Sequence, residues 1–147
     1  MSDTAATPFN IQISDDLTWN VTPLLHEVKH ALSDLIENGK TTVIDLRSIP
    51  LAPGEENKIL QMLGEGEVHV ELDALGKSAI YETHYAGVWI VTHLNDEDAT
   101  IGRYIEVTRM PEILFSQSED IDDAFNRLSE KLDDDQNIIE PPVENLE

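Results

Sequence analysis

Between Leu24 and Ile36 apolar residues return every three or four positions, and Leu24, Leu25, Val28, Ala31, Leu32, Leu35 and Ile36 fall on one helical face. That spacing predicts an amphipathic helix. Thr22 stands where an N-cap would, Pro23 suits the first helical position, and Asn38-Gly39 offers left-handed residues to end it. The β-branched run Thr41–Ile44 predicts a short strand or extended stretch. Pro50 and Pro53 then keep the next segment from being helical throughout. Glu55–Leu63 reads as a second helix, with Ile59, Leu60 and Leu63 inward and Gly64 as its stop.

Four strand-like segments follow, at Glu67–Asp73, Ser78–Tyr85, Val88–His93 and Thr100–Thr108. Their connections are too short for parallel crossovers, so they predict an antiparallel β-meander. Met110–Phe115 reads as a single helical turn, and Ser118 begins a third helix with the stripe Ile121, Phe125, Leu128 and Leu132. The expected fold is therefore α+β, a four-stranded antiparallel meander with helices packed on one face, in a single domain over residues 11–132. Residues 1–10 read as a disordered arm, although Phe9–Ile13 alternates as a short strand would. Residues 133–147 are acidic, carry Pro141-Pro142 and lack periodicity, so they read as a disordered tail.

Counting pairs outward from the loops gives a register. Four residues, Ala74–Lys77, would close the first hairpin and set His69 opposite Glu82. The next two counts set His84 opposite Trp89, and Trp89 opposite Tyr104. Glu67, His69, Glu71, Glu82, His84, Trp89, His93, Tyr104 and Glu106 then share a polar, aromatic face. Val68, Val70, Leu72, Ala79, Tyr81, Val88, Ile90, Ile101, Ile105 and Val107 share the core face. On this register Trp89 and Tyr104 are candidate binding anchors. The alternative is that Trp89 is core, the commoner fate of a large aromatic.

Composition narrows the chemistry. Thirty acids against nine bases give a net charge of −21 over 147 residues, which repels nucleic acid and anionic lipid; it is compatible with a basic protein partner, while the commoner meaning of such acidity is solubility or salt adaptation. The absence of cysteine rules out disulfides, thiol catalysis and Cys-ligated metal within this chain, and fits a reducing compartment. Met1–Asn10 has no basic residue or apolar core of the kind a signal peptide carries, and no apolar run approaches the ~18 residues of a membrane helix. A soluble, cytoplasmic protein with no membrane insertion is expected. An exposed edge strand in the meander permits a homodimer.

No generic catalytic motif stands out. Leu63-Gly64-Glu65-Gly66-Glu67 leads into a strand and carries two glutamates, so a helix stop and turn explains it better than a phosphate loop. His26 and His30 share a helix face but lack further ligands nearby and read as surface residues. His69, Glu82 and His84 could hold nickel or iron if the sheet brought them together. Asp45 and Arg47 read as an ion-paired or capped turn, with a partner's carboxylate as a second use for the guanidinium.

Three segments carry a resemblance: Ile44-Asp45-Leu46-Arg47-Ser48-Ile49-Pro50-Leu51, Leu63-Gly64-Glu65-Gly66-Glu67-Val68, and Glu82-Thr83 followed by Gly87-Val88-Trp89. In order and spacing, from about Val21 to Val107, the chain resembles the C-terminal conserved region of the HupH/HyaF family of hydrogenase expression proteins. The resemblance implies a non-catalytic accessory or chaperone role in maturing a [NiFe] hydrogenase, around its small subunit or iron–sulfur cluster assembly. It implies a hydrogenase subunit or another maturation protein as partner, and no cofactor. Typical members are longer than this chain. With the sheet register, it makes Asp45, Arg47, Glu67, Glu82, His84, Trp89 and Tyr104 the partner-binding candidates, and Gly64, Gly66 and Gly87 motif positions with a structural use. A metal-handling protein using His69, Glu82 and His84 is the rival reading.

Overall fold

The computed structural model describes residues 19–145, with side chains described as far as residue 135. The expected arm at 1–10 and the Phe9–Ile13 strand lie outside the described residues. The chain divides into two compact units between Pro111 and Glu112.

In the first unit the order is α1 (Val21–Asn38), β1 (Thr42–Asp45), a 3₁₀ turn (Leu46–Ser48), α2 (Glu55–Leu63), then β2 (His69–Ala74), β3 (Gly76–Glu82), β4 (Val88–Leu94) and β5 (Thr100–Val107). The sheet has five strands, in the order β1-β5-β4-β3-β2. The fold class stands as α+β, but the expected four-stranded meander is corrected to five. Thr42–Asp45 pairs antiparallel with Val107–Tyr104 and closes one edge. Thr41–Ile44 reads from sequence as a short strand or extended stretch, but only its partner shows that it joins the sheet.

Helix α2 has the bounds its pattern predicts. Helix α1 ends as predicted, on Gly39 at φ +66°, and starts two residues early, with Asn20 rather than Thr22 at its N-cap. Both helices pack on one sheet face. Val21, Leu24, Val28 and Ala31 of α1 and Ile59 and Leu63 of α2 are buried against Ile44, Val88, Ile90, Ile105 and Val107. Ile44, Ile105, Ile90 and Tyr81 form one cross-strand row of that face. Arg103, also on this side, pairs with Glu56 of α2 at 2.6 Å and donates through Nε to Thr92 Oγ1. The charge is thereby matched where an isolated one would be costly.

The register differs from the expected one at every hairpin. Ala74 pairs with Gly76, leaving only Leu75 at the tip, so His69 faces Tyr81 and not Glu82. A slip of one residue inverts a strand. His69 and Glu71 therefore join the helix-facing side, and Val70 and Leu72 the other, the reverse of the expectation. The later hairpins shift by two. Glu82, not His84, faces Trp89, and Val91, not Trp89, faces Tyr104. Side chains there keep their faces, so Glu82, Trp89, His93, Tyr104 and Glu106 do share one side. That side is not wet at its centre: Ile80, Trp89 and Val91 are buried. A register shift at His93/Leu94 leaves Ile101, expected in the core, exposed.

The second unit contains a 3₁₀ turn (Glu112–Leu114) and α3 (Ser118–Asn145). The turn and the start of the helix are as predicted. Helix α3 runs on through the segment from Asp133 to Asn145. No glycine or proline stands between Ser118 and Glu140, and acids alone do not stop a helix. Among the described residues no helix is long and apolar enough to cross a membrane.

One buried carboxylate ties the helical layer together. Glu55, with no solvent exposure, accepts from Ala52 N–H at 2.7 Å, Asn20 N–H at 2.9 Å and Asn20 Nδ2 at 3.1 Å. Asn20 is the N-cap of α1 and Glu55 the first residue of α2, so one side chain fixes two helix starts. The backbone donors of Asn20 and Ala52 hold its carboxyl below the ordinary 4.5, against the opposing effect of burial. A depressed carboxyl stabilises above its unfolded pKa and loses that contribution as pH falls through the folded one. Glu55→Ala should cost roughly 3 kcal/mol in urea unfolding at neutral pH, because several donors lose their acceptor. Glu55→Gln should cost less at neutral pH, and the gap between it and wild type should shrink as pH drops below 4.5. A gap that widens on acidification would contradict the assignment.

Candidate functional site

The three motif segments have separate structural tasks. Asp45 caps its turn: Oδ1 accepts from Arg47 N–H at 2.9 Å, and its carbonyl accepts from Ser48 Oγ. Leu46 is buried beneath, and the Arg47 side chain is exposed.

The other two segments meet. The chain leaving α2 crosses the end of β3, with Gly66 N–H donating to Glu82 O at 2.7 Å, His84 N–H to Leu63 O, and Glu82 N–H to Val68 O. This crossing demands glycine. A Cβ on Gly64, at φ +70°, would lie 1.9 Å from His84 Cδ2, and one on Gly66 would lie 2.6 Å from Thr83 O. Beyond it, Thr83–Gly87 turns β3 into β4. Glu82 accepts from Gly87 N–H at 3.0 Å, and the Thr83 hydroxyl accepts from Tyr85 N–H at 3.1 Å. Gly87, at φ +86°, lies against Leu32 and Leu35 of α1.

Three depressions surround this turn. An apolar groove of about 300 Å³ runs between the helices, lined by Leu25, Leu32, Met62 and Tyr85, with Lys29 on its rim. A more polar one of about 540 Å³ is lined by Leu60, Gly64, Glu65, Tyr81 and His84. A third, about 370 Å³, is lined by Leu35, Ile36, Glu82, Gly87 and Arg109. Tyr85, Met62 and Ile36 stand 53%, 49% and 80% exposed, large apolar groups that face solvent around one turn. In the second depression burial pushes the Tyr81 phenol up, and the Glu65 carboxylate adds to the effect against the pull of Arg103.

The sequence-predicted residues divide accordingly. Glu82 and His84 belong to this site. Glu67 is exposed just beyond the crossing. Asp45 and Arg47 line none of the three depressions. Of its two readings Trp89 takes the core one: it is buried, its indole N–H donating to Thr108 O at 3.1 Å, and so is not an exposed anchor. Tyr104 is half-buried and meets His93 edge-on at 5.7 Å. The rival His69, Glu82 and His84 cluster does not come together. His69 stacks on Tyr81 at 5.7 Å with Nε2 3.1 Å from Gly66 O, on the face opposite Glu82. Among the described residues no three His, Asp or Glu side chains converge as a metal site. Sequence reasoning missed Met62, Tyr85 and Arg109, whose only signal is an apolar or basic residue beside a glycine-marked turn.

The family described as "HupH hydrogenase expression protein, C-terminal conserved region" matches residues 18–134. The chain is 34% identical over 120 residues to the hydrogenase expression/formation protein HupQ of Azotobacter chroococcum, covering 80% of this chain and 42% of that one. It is 36% identical over 95 residues to HupH of Rhodobacter capsulatus, covering 65% and 34%. The chain thus spans about two-fifths or less of these curated relatives. The solved structure of the hydrogenase expression protein HupH from Thiobacillus denitrificans superposes with a TM-score of 0.75 at 37% identity, covering 78% of this chain and 96% of that one.

The crossing makes a graded prediction for thermal or urea unfolding. Gly66→Ala, which meets backbone, should cost more than about 2 kcal/mol, and His84→Ala should relieve none of it. Gly64→Ala meets a movable ring, so His84→Ala should recover part of its loss in a double-mutant cycle. Equal recovery at both glycines would refute the geometry.

Proposed function

Because the chain belongs to the family of the HupH hydrogenase expression protein, C-terminal conserved region, we propose that it is a non-catalytic accessory module that assists maturation of a [NiFe] hydrogenase by binding another protein. The partner is a hydrogenase subunit or another maturation factor, acting in small-subunit or iron–sulfur cluster assembly. The relatives' names as expression/formation proteins support an accessory role.

The observation that carries the reading is the Thr83–Gly87 turn, held rigid by the glycine crossing and ringed by open apolar depressions. Exposed aromatic and thioether side chains beside a preformed groove suit protein side chains, and both residue types are enriched where proteins meet. We assign the main contacts to Tyr85, Met62 and His84, with the half-exposed edge of Glu82. Arg47, Glu67 and Tyr104 are assigned peripheral contacts. Asp45 acts through its turn, and Trp89 through the sheet it helps to fill.

A tagged full chain should capture a hydrogenase subunit or maturation protein from its native cells, grown to express hydrogenase, by affinity capture and mass spectrometry. Tyr85→Ala combined with Met62→Ser should remove that protein from the eluate while leaving the unfolding midpoint near wild type. Retention of the partner by this stable variant would move the interface off the turn. Absence of any hydrogenase-related protein from the wild-type eluate would count against the function.

A further inference from the structure

The first and third depressions beside the Thr83–Gly87 turn share a wall, because Leu32 lines both. Together they follow α1 from Leu25 to Ile36, a span of roughly 16 Å at the helical rise. The track is apolar along its length, with Leu25, Val28 and Met62 on one side of Leu32 and Leu35 and Ile36 on the other.

The charges beside this track differ from those of the chain at large. Thirty acids outnumber nine bases, yet the first depression is lined by Lys29 and by no acid. The third is lined by Arg109 and by one acid, Glu82, which already accepts from Gly87 N–H at 3.0 Å. Lys58 stands one turn before Met62 on the same face of α2. Lys77, Arg103 and Arg127 are held in ion pairs, with Asp98, Glu56 and Asp123. Among the described residues no ion pair engages Lys29, Lys58 or Arg109. The positions three and four residues from Lys29 on α1 are Leu25, His26, Leu32 and Ser33, so its own helix places no acid against it. Glu37, the acid of α1 on that flank, lies about two turns further on. A cation beside apolar surface attracts a carboxylate more strongly than one in open water. A basic segment laid here would set cation against cation.

We propose that this track takes up a short segment of the partner protein in which apolar residues are flanked by aspartates or glutamates. The apolar side chains enter the two depressions on either side of Leu32, and the carboxylates meet Lys29, Lys58 and Arg109. The inference rests on the reading of the turn as a protein-binding surface, and names the chemistry of what that surface binds. Specificity follows from the surround: acids elsewhere on the chain repel an acidic segment that misses the track, and favour basic residues in the rest of the partner's contact surface.

The probe is a fluorescein-labelled peptide of about twelve residues, roughly three helical turns, with leucines and a phenylalanine at its centre and glutamates at both ends. A matched peptide carries lysines in place of the glutamates. Anisotropy is followed as the full chain is added, at low and at high salt. The wild type should bind the glutamate peptide at least about tenfold more tightly than the lysine one, and the difference should shrink with salt. Lys29→Glu combined with Arg109→Glu should reverse the preference, and Lys29→Gln combined with Arg109→Gln should abolish it without reversal. Both side chains are exposed, so the unfolding midpoints should stay near wild type. Equal or tighter binding of the lysine peptide by the wild type, or an unchanged preference in either double variant, would overturn the proposal. So would sedimentation of the wild type as a dimer that the charge-reversed variant dissociates, which would give the track to a second copy. Affinity capture with Tyr85→Ala and Met62→Ser reports on the turn separately. A wild type without the glutamate preference, beside a capture still lost in that variant, would sink the chemistry assigned here and leave the turn as the binding surface.

Discussion

The candidate site depends on two backbones that pass within a hydrogen bond of each other. Gly66 N–H reaches Glu82 O at 2.7 Å, and no side chain fits on Gly64 or Gly66 without meeting His84 or the Thr83 carbonyl. This contact anchors the end of α2 to β3 and holds the following turn in place. A turn this short and doubly pinned presents Tyr85 and the rims of three depressions in a fixed arrangement, so little ordering cost remains when a partner arrives. The same closeness explains why glycines recur in a segment that, in sequence, resembles a phosphate loop but lacks its helix N-terminus.

Charge is handled differently inside and outside. The chain has thirty acids, yet among the described residues no cation pairs with the wholly buried Glu55: it is held by N–H donors at the starts of α1 and α2. Arg103 is spent within the fold, on Glu56. The remaining acids leave a surface compatible with basic partners, as the proposed protein-binding role would use.

Much of this was legible in the residues. The periodicity gave α2 its bounds and α1 its end at Gly39, and the short connections gave the antiparallel order. The failures have local causes. Leu75 alone at a hairpin tip, where four loop residues were counted, inverted β2 and with it the supposed metal cluster. β1 read as a short strand or extended stretch, but four residues carry no sign that they pair with β5 and join the sheet. Trp89 shares its face with Glu82 and Tyr104 as expected, but alternation reports a side, not whether that side is covered. The burial of Glu55 and the grouping of Met62 with Tyr85 arise from tertiary packing and leave no periodic trace. The motif glycines were found through resemblance, and only the crossing explains them.

The most direct test places a photoreactive amino acid at Tyr85 in one sample of the full chain and at Leu75, the fully exposed hairpin tip, in another, with irradiation in hydrogenase-expressing cells. The account predicts a cross-link from position 85 to a hydrogenase subunit or maturation protein, and none to that protein from position 75. A cross-link to it from position 75 but not from 85 would contradict the claim that the Thr83–Gly87 turn is the binding surface.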